Sequence, residues 1–118
     1  MDRRQYVSGR QFYERQLAYL QAGDVDELID QHYHDDAALI TFDVTVRGRD
    51  ALKEYFRRYL QQLGQLEALS TDNFTETGDA IFLEATIRTA LGVARVYDAF
   101  VLREGKIAYH FAGVIGPT

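Results

Sequence analysis

The sequence predicts an α+β protein whose helices precede most of its sheet. Helical patterns dominate the first half of the 118 residues, and strand patterns fill the second half. This segregation is typical of α+β folds, because α/β folds alternate helices and strands along the chain. The single proline, Pro117, stands near the C-terminus, so no proline interrupts a predicted helix or strand. We expect one domain over residues 1–118, with helices folded over one face of a curved sheet.

Two helices are predicted at the beginning of the chain. Apolar side chains recur at helical spacing over residues 3–22, and Gly23 is placed to cap this helix in the left-handed conformation. Asp24 and Glu27 then form a capping-box pattern, in which side chains bind the free backbone N–H groups of the first turn. A second helix therefore follows over residues 25–33.

A third helix is predicted from Asp50 to Gly64, because its apolar residues form a wide hydrophobic face. Two short strands precede this helix and four longer strands follow it. Gly78 and Gly105 lie where hairpin turns need a positive φ. The predicted strands cover residues 37–42, 45–47, 66–77, 80–91, 93–103 and 106–115.

Composition excludes several classes of function. The net charge of −5 argues against a nucleic-acid-binding protein and against a polybasic membrane anchor. No apolar run approaches the roughly 20 residues that cross a bilayer. There is no cysteine, which excludes disulfides, thiolate catalysis and cysteine-ligated zinc. The first residues carry positive charge without the apolar stretch of a signal peptide, so we expect a cytoplasmic protein.

One acid and one imidazole stand out in the last two strands. Asp98 occupies the middle of an otherwise apolar strand face, where a carboxylate must be paired, hydrogen-bonded or neutral. A three-residue hairpin loop at 103–105 would pair Leu102 with Lys106 and place Asp98 directly opposite His110. A two-residue loop would shift the register by one and put the two side chains on opposite faces. We favour the three-residue loop, because its glycine suits a G1 bulge.

Five short motifs together resemble the small SnoaL-like proteins of the nuclear transport factor 2-like (NTF2-like) superfamily, which includes ketosteroid isomerase and polyketide cyclases. The resemblance covers essentially the whole chain. It implies a cone-shaped fold of the cystatin-like α+β roll type, in which a strongly bent, mostly antiparallel sheet wraps around three helices and leaves a pocket at the wide end. The motifs are GDVDEL at 23–28, DDA at 35–37, VRGRDAL at 46–52, YDAF at 97–100 and GKI at 105–107.

The catalytic positions of these relatives match this chain in part. Asp98 stands where ketosteroid isomerase carries its protonated oxyanion-hole acid. The base of that family would fall near Thr41, and its oxyanion-hole tyrosine would fall near Gln16. The last-strand acid of the polyketide cyclases corresponds to Ala112, two residues after His110.

The leading hypothesis is a small-molecule-binding protein. If it is an enzyme, we expect a cofactor-free isomerase or cyclase that moves a proton on a small apolar carbonyl compound. Asp98 and His110 are the candidate catalytic residues, with His110 as base or acid and Asp98 as its partner or an oxyanion donor. A nearby tyrosine would be a second donor, and Tyr13, Tyr19, Tyr55 and Tyr59 are the candidates to supply a hydroxyl to the pocket. The predicted pocket-lining residues are Tyr13, Gln16, Leu17, Leu20, His32, Thr41, Phe56, Tyr59, Val96, Phe100, Ala112 and Val114.

Two alternative functions stay open beside the leading hypothesis. The acids missing at Thr41 and Ala112 favour a non-catalytic binding or dimerisation module, and a water-activating hydratase or hydrolase is a third option.

The cluster of His32, His34, Asp35 and Asp36 is interpreted as a solvated helix end, so no metal and no cofactor are predicted. The outer sheet face carries aromatic residues framed by polar ones, which predicts a homodimer through this face.

Overall fold

The computed structural model describes residues 8–117, which form three helices and a six-stranded sheet and confirm the predicted α+β class. The elements in chain order are α1 (Gly9–Ala22), α2 (Val25–His32), β1 (Tyr33–Ile40), β2 (Thr45–Arg47), α3 (Arg49–Leu63), β3 (Glu67–Glu76), β4 (Ala80–Thr89), β5 (Gly92–Arg103) and β6 (Lys106–Pro117). None of these helices is long and apolar enough to cross a membrane.

Helix α1 begins later than predicted. Ser8 has an extended backbone and caps the helix, because its side chain accepts a hydrogen bond from the Gln11 N–H while the Gln11 side chain accepts one from the Ser8 N–H. This reciprocal capping box makes Gly9 the first residue of α1. Ser8 was predicted to be helical, and this prediction is wrong. Residues 3–7 of the predicted helix lie outside the described residues. The other end agrees with the prediction, since Gly23 caps it in the left-handed conformation with φ 71°.

The strands follow the spatial order β2-β1-β6-β5-β4-β3. All neighbouring pairs are antiparallel except β1 and β6, which run parallel. Register shifts interrupt the β1–β6, β3–β4 and β5–β6 pairs, and such bulges bend strands and increase their twist. The sheet is therefore curved, and the buried side chains of all three helices pack with its inner face in one core.

The alternation predicted for β4 is observed. Ile81, Leu83, Ala85 and Ile87 are buried on the inner face, whereas Phe82 lies half-exposed on the outer face. Burial of every second side chain is expected for a strand with one face against a core.

The β5–β6 hairpin differs from the predicted three-residue loop. Arg103 pairs with Lys106 across a two-residue turn, in which Glu104 and Gly105 both adopt positive φ, 54° and 80°. Two left-handed residues in succession match the strand twist in a tight hairpin. The predicted pairing of Leu102 with Lys106 is therefore wrong, and Leu102 pairs with Ile107 instead.

A bulge next to this turn keeps the side chains of Asp98 and His110 on the same face of the sheet. The two-residue turn alone would place them on opposite faces. The register shifts by one residue between Leu102 and Val101, so that Ala108 has no direct partner on β5. Beyond the bulge, Asp98 pairs with Ala112, and His110 pairs with Phe100. The predicted direct pairing of Asp98 with His110 is thus wrong in register. Both side chains nevertheless share the inner face, as diagonal neighbours.

The end of helix α3 supplies a stability prediction. Gly64 has φ 73°, and a Cβ at this position would lie 2.9 Å from the Cβ of Ala90. Gly23 has almost the same φ, 71°, but faces open space. We expect Gly23→Ala to lower the free energy of unfolding by about 1–2 kcal/mol through backbone strain. Gly64→Ala should cost about 1–3 kcal/mol more, because the added methyl overpacks against the Ala90 methyl and because Gly64, with ψ −78°, lies outside the left-handed helical region that Gly23 occupies with ψ 19°.

Urea unfolding of the two variants measures this difference directly. Equal losses in the two variants would contradict this expectation.

Candidate functional site

A cavity of about 460 Å³ lies between the helices and the inner face of the sheet. This volume is within the range of small-molecule sites. Helices α1 and α3 supply one side of its wall, and strands β1, β4, β5 and β6 supply the other. The mouth lies near Phe42, Asp43 and Val114, since Phe42 is 95% exposed and Val114 is also largely exposed.

Eleven of the twelve residues predicted to line a pocket lie on this wall. The exception is His32. The eleven are Tyr13, Gln16, Leu17, Leu20, Thr41, Phe56, Tyr59, Val96, Phe100, Ala112 and Val114.

His32 lies behind the cavity wall, which corrects its prediction as a lining residue. Its ring stacks on Phe12 with centroids 4.0 Å apart and meets the edge of Tyr19 at 5.4 Å. Its Nδ1 atom lies 2.7 Å from the Gln16 Oε1 atom. The side chain is therefore directed from α2 into the interface with α1, where it is buried.

The side chains of Asp98 and His110 are within hydrogen-bond distance, as their diagonal positions on β5 and β6 allow. The Asp98 Oδ1 atom lies 2.7 Å from the His110 Nε2 atom. The two side chains differ in exposure, since Asp98 is 27% exposed and His110 only 5%. Ala112, opposite Asp98 on β6, has a small side chain and lines the cavity beside the carboxylate. Asp98 therefore presents its carboxylate to the cavity, while the buried His110 contacts it from the protein interior.

Both nitrogens of His110 are occupied. Nε2 contacts Asp98, and Nδ1 lies 2.9 Å from the hydroxyl of Tyr33. The ring also packs against Phe100, with centroids 4.6 Å apart, and is stacked near Phe56 at 6.4 Å. No lone pair of His110 is left for a ligand, so the role of base that the sequence analysis offered to His110 does not fit this geometry. Asp98 is the group placed to exchange a proton.

A buried chain of side chains extends from His110 to His32 and has a defined direction. The Gln16 Nε2 group donates to the Tyr33 hydroxyl at 2.8 Å. With the Gln16 amide in this orientation, the Tyr33 proton is donated to His110 Nδ1, because a fully buried O–H proton needs an acceptor. This arrangement places the His110 proton on Nε2, which donates to Asp98. At the other end, His32 Nδ1–H donates to Gln16 Oε1.

Tyrosine hydroxyls stand around this pair in their neutral form. Burial raises the pKa of Tyr59 to about 12, and the negative charge of Asp98 contributes to the rise. Burial also raises the pKa of Tyr13, whose hydroxyl lies 2.8 Å from Thr71 Oγ1. Among residues 8–117, the Tyr59 hydroxyl makes no hydrogen bond to a protein atom, and the residue lines the cavity. Tyr59 is thus a tyrosine available to donate to a ligand.

Two of the positions matched to catalytic residues of the relatives are used structurally here. The Thr41 hydroxyl accepts hydrogen bonds from the backbone N–H groups of Asp43 and Val44, which builds the turn between β1 and β2. Gln16 is engaged through both its amide nitrogen and its carbonyl oxygen. Asp43, in the turn between β1 and β2, also lines the cavity mouth.

Sequence reasoning did not single out Tyr33. Its position at the start of β1 places it beside Ile107 through the parallel β1–β6 pair. Parallel pairing between segments more than 70 residues apart leaves no local signal in the sequence. The alternation of the two strands would have suggested the contact only if their register were known.

The acidic and histidine cluster at the α2–β1 junction spreads apart in the structure. His32 is directed inward to Gln16, whereas His34 bonds the backbone oxygen of Arg103. Asp36 pairs with the Arg103 guanidinium at 3.1 Å. These groups stabilise the junction rather than converge on a common point.

The cone of three helices and a bent sheet around an apolar cavity defines an NTF2-like protein. The chain belongs to the SnoaL-like domain family, which matches residues 10–110. No curated protein shows significant sequence similarity to the chain.

Solved structures share the fold at low sequence identity. An NTF2-like protein from Anabaena variabilis is 20% identical, with a TM-score of 0.77 over 89% of this chain and 84% of that one. A proposed polyketide cyclase from Sinorhizobium meliloti is 15% identical, with a TM-score of 0.75 over 86% and 93%. TerC, co-crystallised with polyporic acid, is 16% identical, with a TM-score of 0.75 over 89% of both chains.

The burial of His32 predicts a pH dependence of stability. Burial, with smaller contributions from the positive charges of Arg15 and Lys106, lowers the pKa of His32 from 6.5 to about 4. Between these values the unfolded chain binds a proton that the folded chain does not, so stability is complete above about pH 6.5 and falls as the pH decreases toward 4. The loss should reach up to about 3 kcal/mol.

Urea unfolding at a series of pH values tests this expectation. His32→Gln keeps a donor for Gln16 but cannot titrate, so its free energy of unfolding should vary less with pH. His34→Gln serves as the matched control and should keep the wild-type pH dependence. An unchanged slope in His32→Gln would contradict the assignment.

Proposed function

We propose that this protein binds a small apolar compound in the cavity and moves a proton on it without a cofactor, with Asp98 as the proton acceptor. One observation carries the proposal. The carboxylate of Asp98 is partly exposed to a cavity of about 460 Å³, while a buried imidazole holds it at 2.7 Å. A carboxylate fixed at an apolar wall is poorly solvated and thus suited to accept a proton from a bound carbon acid.

Three side chains have separate roles in the proposed reaction. His110 donates its Nε2 proton to Asp98 and so fixes the direction of the carboxylate. Asp98 takes a proton from the carbon next to a carbonyl group, and the electron pair of that C–H bond moves toward the carbonyl oxygen. Tyr59 donates to this oxygen as negative charge develops on it. Return of the proton from Asp98 to another carbon completes an isomerisation.

The structural relatives are consistent with a ligand in this cavity. TerC was crystallised with polyporic acid, and the Sinorhizobium protein is a proposed polyketide cyclase. Both share the fold of this chain, and fold alone does not carry activity from one protein to another. The comparison therefore supports ligand binding in general, and the proton-transfer proposal depends on Asp98.

A second candidate function is a binding module without catalysis. Thr41 is engaged in a turn and Ala112 has no functional group, so two acids of the catalytic relatives have no counterpart here. Such a module would bind the same apolar ligand and leave it unchanged.

The substitution Asp98→Asn tests the proposed role, because asparagine still accepts the hydrogen bond from His110 but is no base. With 1-tetralone as probe, we expect the wild type to accelerate deuterium exchange at the carbon next to the carbonyl. Asp98→Asn should lower this acceleration by about 10²–10⁴-fold. Proton NMR in D₂O measures the exchange rate.

Asp79→Asn is the matched control, since this carboxylate lies in an exposed turn. It should exchange the probe at the wild-type rate. Undiminished exchange in Asp98→Asn would exclude Asp98 as the base. Binding of the probe by the wild type with no exchange above the buffer rate would favour the non-catalytic module.

We also propose a homodimer through the outer face of the sheet. Phe82 and Phe111 are both paired with Ala99, from opposite sides, and Val101 is paired with Tyr109 in the adjacent row. These four large side chains are exposed, with Phe82 at 50%. A contiguous apolar patch on a sheet face is typical of an interface, and two copies of one patch are complementary by twofold symmetry. Tyr97 adds little to this patch, because its ring packs over Gly113.

Light scattering coupled to size-exclusion chromatography tests this assembly. The wild type should have the mass of a dimer, and the double substitution Phe82→Glu and Phe111→Glu should give a monomer, because four carboxylates would be buried in the interface. Leu91→Glu, at an exposed turn away from the patch, should remain dimeric. A monomeric wild type, or a dimeric double variant, would refute the interface.

A further inference from the structure

The cavity wall carries negative charge and no compensating positive charge. Among the described residues that form the wall, the side chains with a formal charge are Asp98 and, at the mouth, Asp43. No lysine or arginine belongs to the wall in residues 8–117. Arg10 approaches the outside of this region, but its guanidinium lies over the rings of Tyr13 and Phe74 at 5.7 and 5.3 Å.

His110 does not neutralise Asp98. A protonated imidazole would carry a proton on Nδ1, facing the Tyr33 hydroxyl, and the Tyr33 proton would then need another acceptor. The Gln16 amide nitrogen, 2.8 Å from that hydroxyl, is a donor. With the Gln16 amide donating to Tyr33, the buried chain favours an imidazole without a proton on Nδ1, so that the Asp98–His110 pair keeps a net charge of −1.

The remainder of the wall is rich in aromatic rings. Tyr55 and Tyr59 lie one helical turn apart on α3, with nearly parallel rings whose centroids are 6.2 Å apart. Aromatic faces attract organic cations, and the attraction grows when water is excluded. The aromatic residues whose rings face the cavity are Tyr13, Phe42, Tyr55, Phe56, Tyr59 and Phe100.

From these observations we propose that the cavity selects an apolar organic cation, with its positive charge on a nitrogen of the protonated imine or iminium type, and rejects anions. The inference rests on the proposed function and names its substrate class. Opposite charges attract more strongly in an apolar cavity than in water, and like charges repel more strongly. A carboxylate ligand would face Asp98 and Asp43 with no partner, whereas a cation gains both a counter-ion and aromatic faces.

A cationic substrate also suits the proton transfer that we assign to Asp98. When Asp98 removes a proton from the carbon next to a C=N⁺ group, the C–H electron pair forms a C=C bond and the C=N⁺ π pair moves to nitrogen. The products are a neutral enamine and a protonated Asp98. No anion forms on the substrate, so the reaction needs fewer hydrogen-bond donors than an enolate would. This matches a site in which Gln16 and Thr41 are already engaged.

Binding of three bicyclic probes of similar size tests the charge preference. The probes are the cation 1,2-dimethyl-3,4-dihydroisoquinolinium, the neutral 1-tetralone and the anion 1-naphthoate, each titrated by NMR at constant ionic strength. We expect the wild type to bind the cation at least about tenfold more tightly than 1-tetralone, and to bind 1-naphthoate more weakly than either. Asp98→Asn should lose the preference for the cation but keep its affinity for 1-tetralone. The matched control Asp79→Asn should keep the full preference.

The protonation state of His110 is measured separately by ¹⁵N NMR of the imidazole. A neutral ring with the proton on Nε2 is expected, and a doubly protonated ring at neutral pH would overturn the inference. So would binding of 1-naphthoate as tight as that of the cation, whatever the exchange rates are. If the charge preference is found but Asp98→Asn still exchanges 1-tetralone, the proposed catalysis fails and the ligand class stands. If none of the probes binds, both proposals fail.

Discussion

The interior depends on one chain of buried hydrogen bonds that ties five elements together. It runs from Asp98 on β5 through His110 on β6, Tyr33 on β1 and Gln16 on α1 to His32 on α2. Each of these polar groups would cost about 1–3 kcal/mol if it were buried without a partner. Within residues 8–117, no buried side-chain nitrogen or oxygen lacks a hydrogen bond. The sheet and the two helices must therefore dock in a single arrangement, which is the one that places a carboxylate at the cavity.

The Ala108 bulge connects this chain to the backbone. A tight two-residue turn alone would place His110 on the outer face, away from both Tyr33 and Asp98. The extra residue shifts the register by one, so His110 returns to the inner face. The same bulge bends the strand and contributes to the curvature that leaves room for the cavity. This bulge thus contributes to the shape of the cavity and also determines that His110 faces its wall.

Local signals in the sequence were sufficient for most of the architecture. The glycine cap after α1, the Asp24 cap of α2 and the alternation of β4 depend on neighbouring residues, and each is observed. The placement of Asp98 and His110 on one face was also predictable, although for a different pairing. The Tyr33 contact was not predictable, because it depends on the parallel pairing of distant strands. Without Tyr33, nothing in the sequence distinguishes His110 as a base from His110 as a support.

Tyr33 also explains why shared fold and shared motifs do not determine the chemistry. The YDAF motif places Asp98 where ketosteroid isomerase holds a protonated acid, and the resemblance alone would make it a donor. In this chain the neighbour of that acid is an imidazole whose other nitrogen contacts the hydroxyl of a buried tyrosine. When that nitrogen accepts the tyrosine hydrogen bond, the imidazole donates to Asp98, which suits a carboxylate acting as a proton acceptor. The role of base that we propose for Asp98 therefore depends on the residues behind it, since the motif around it is retained.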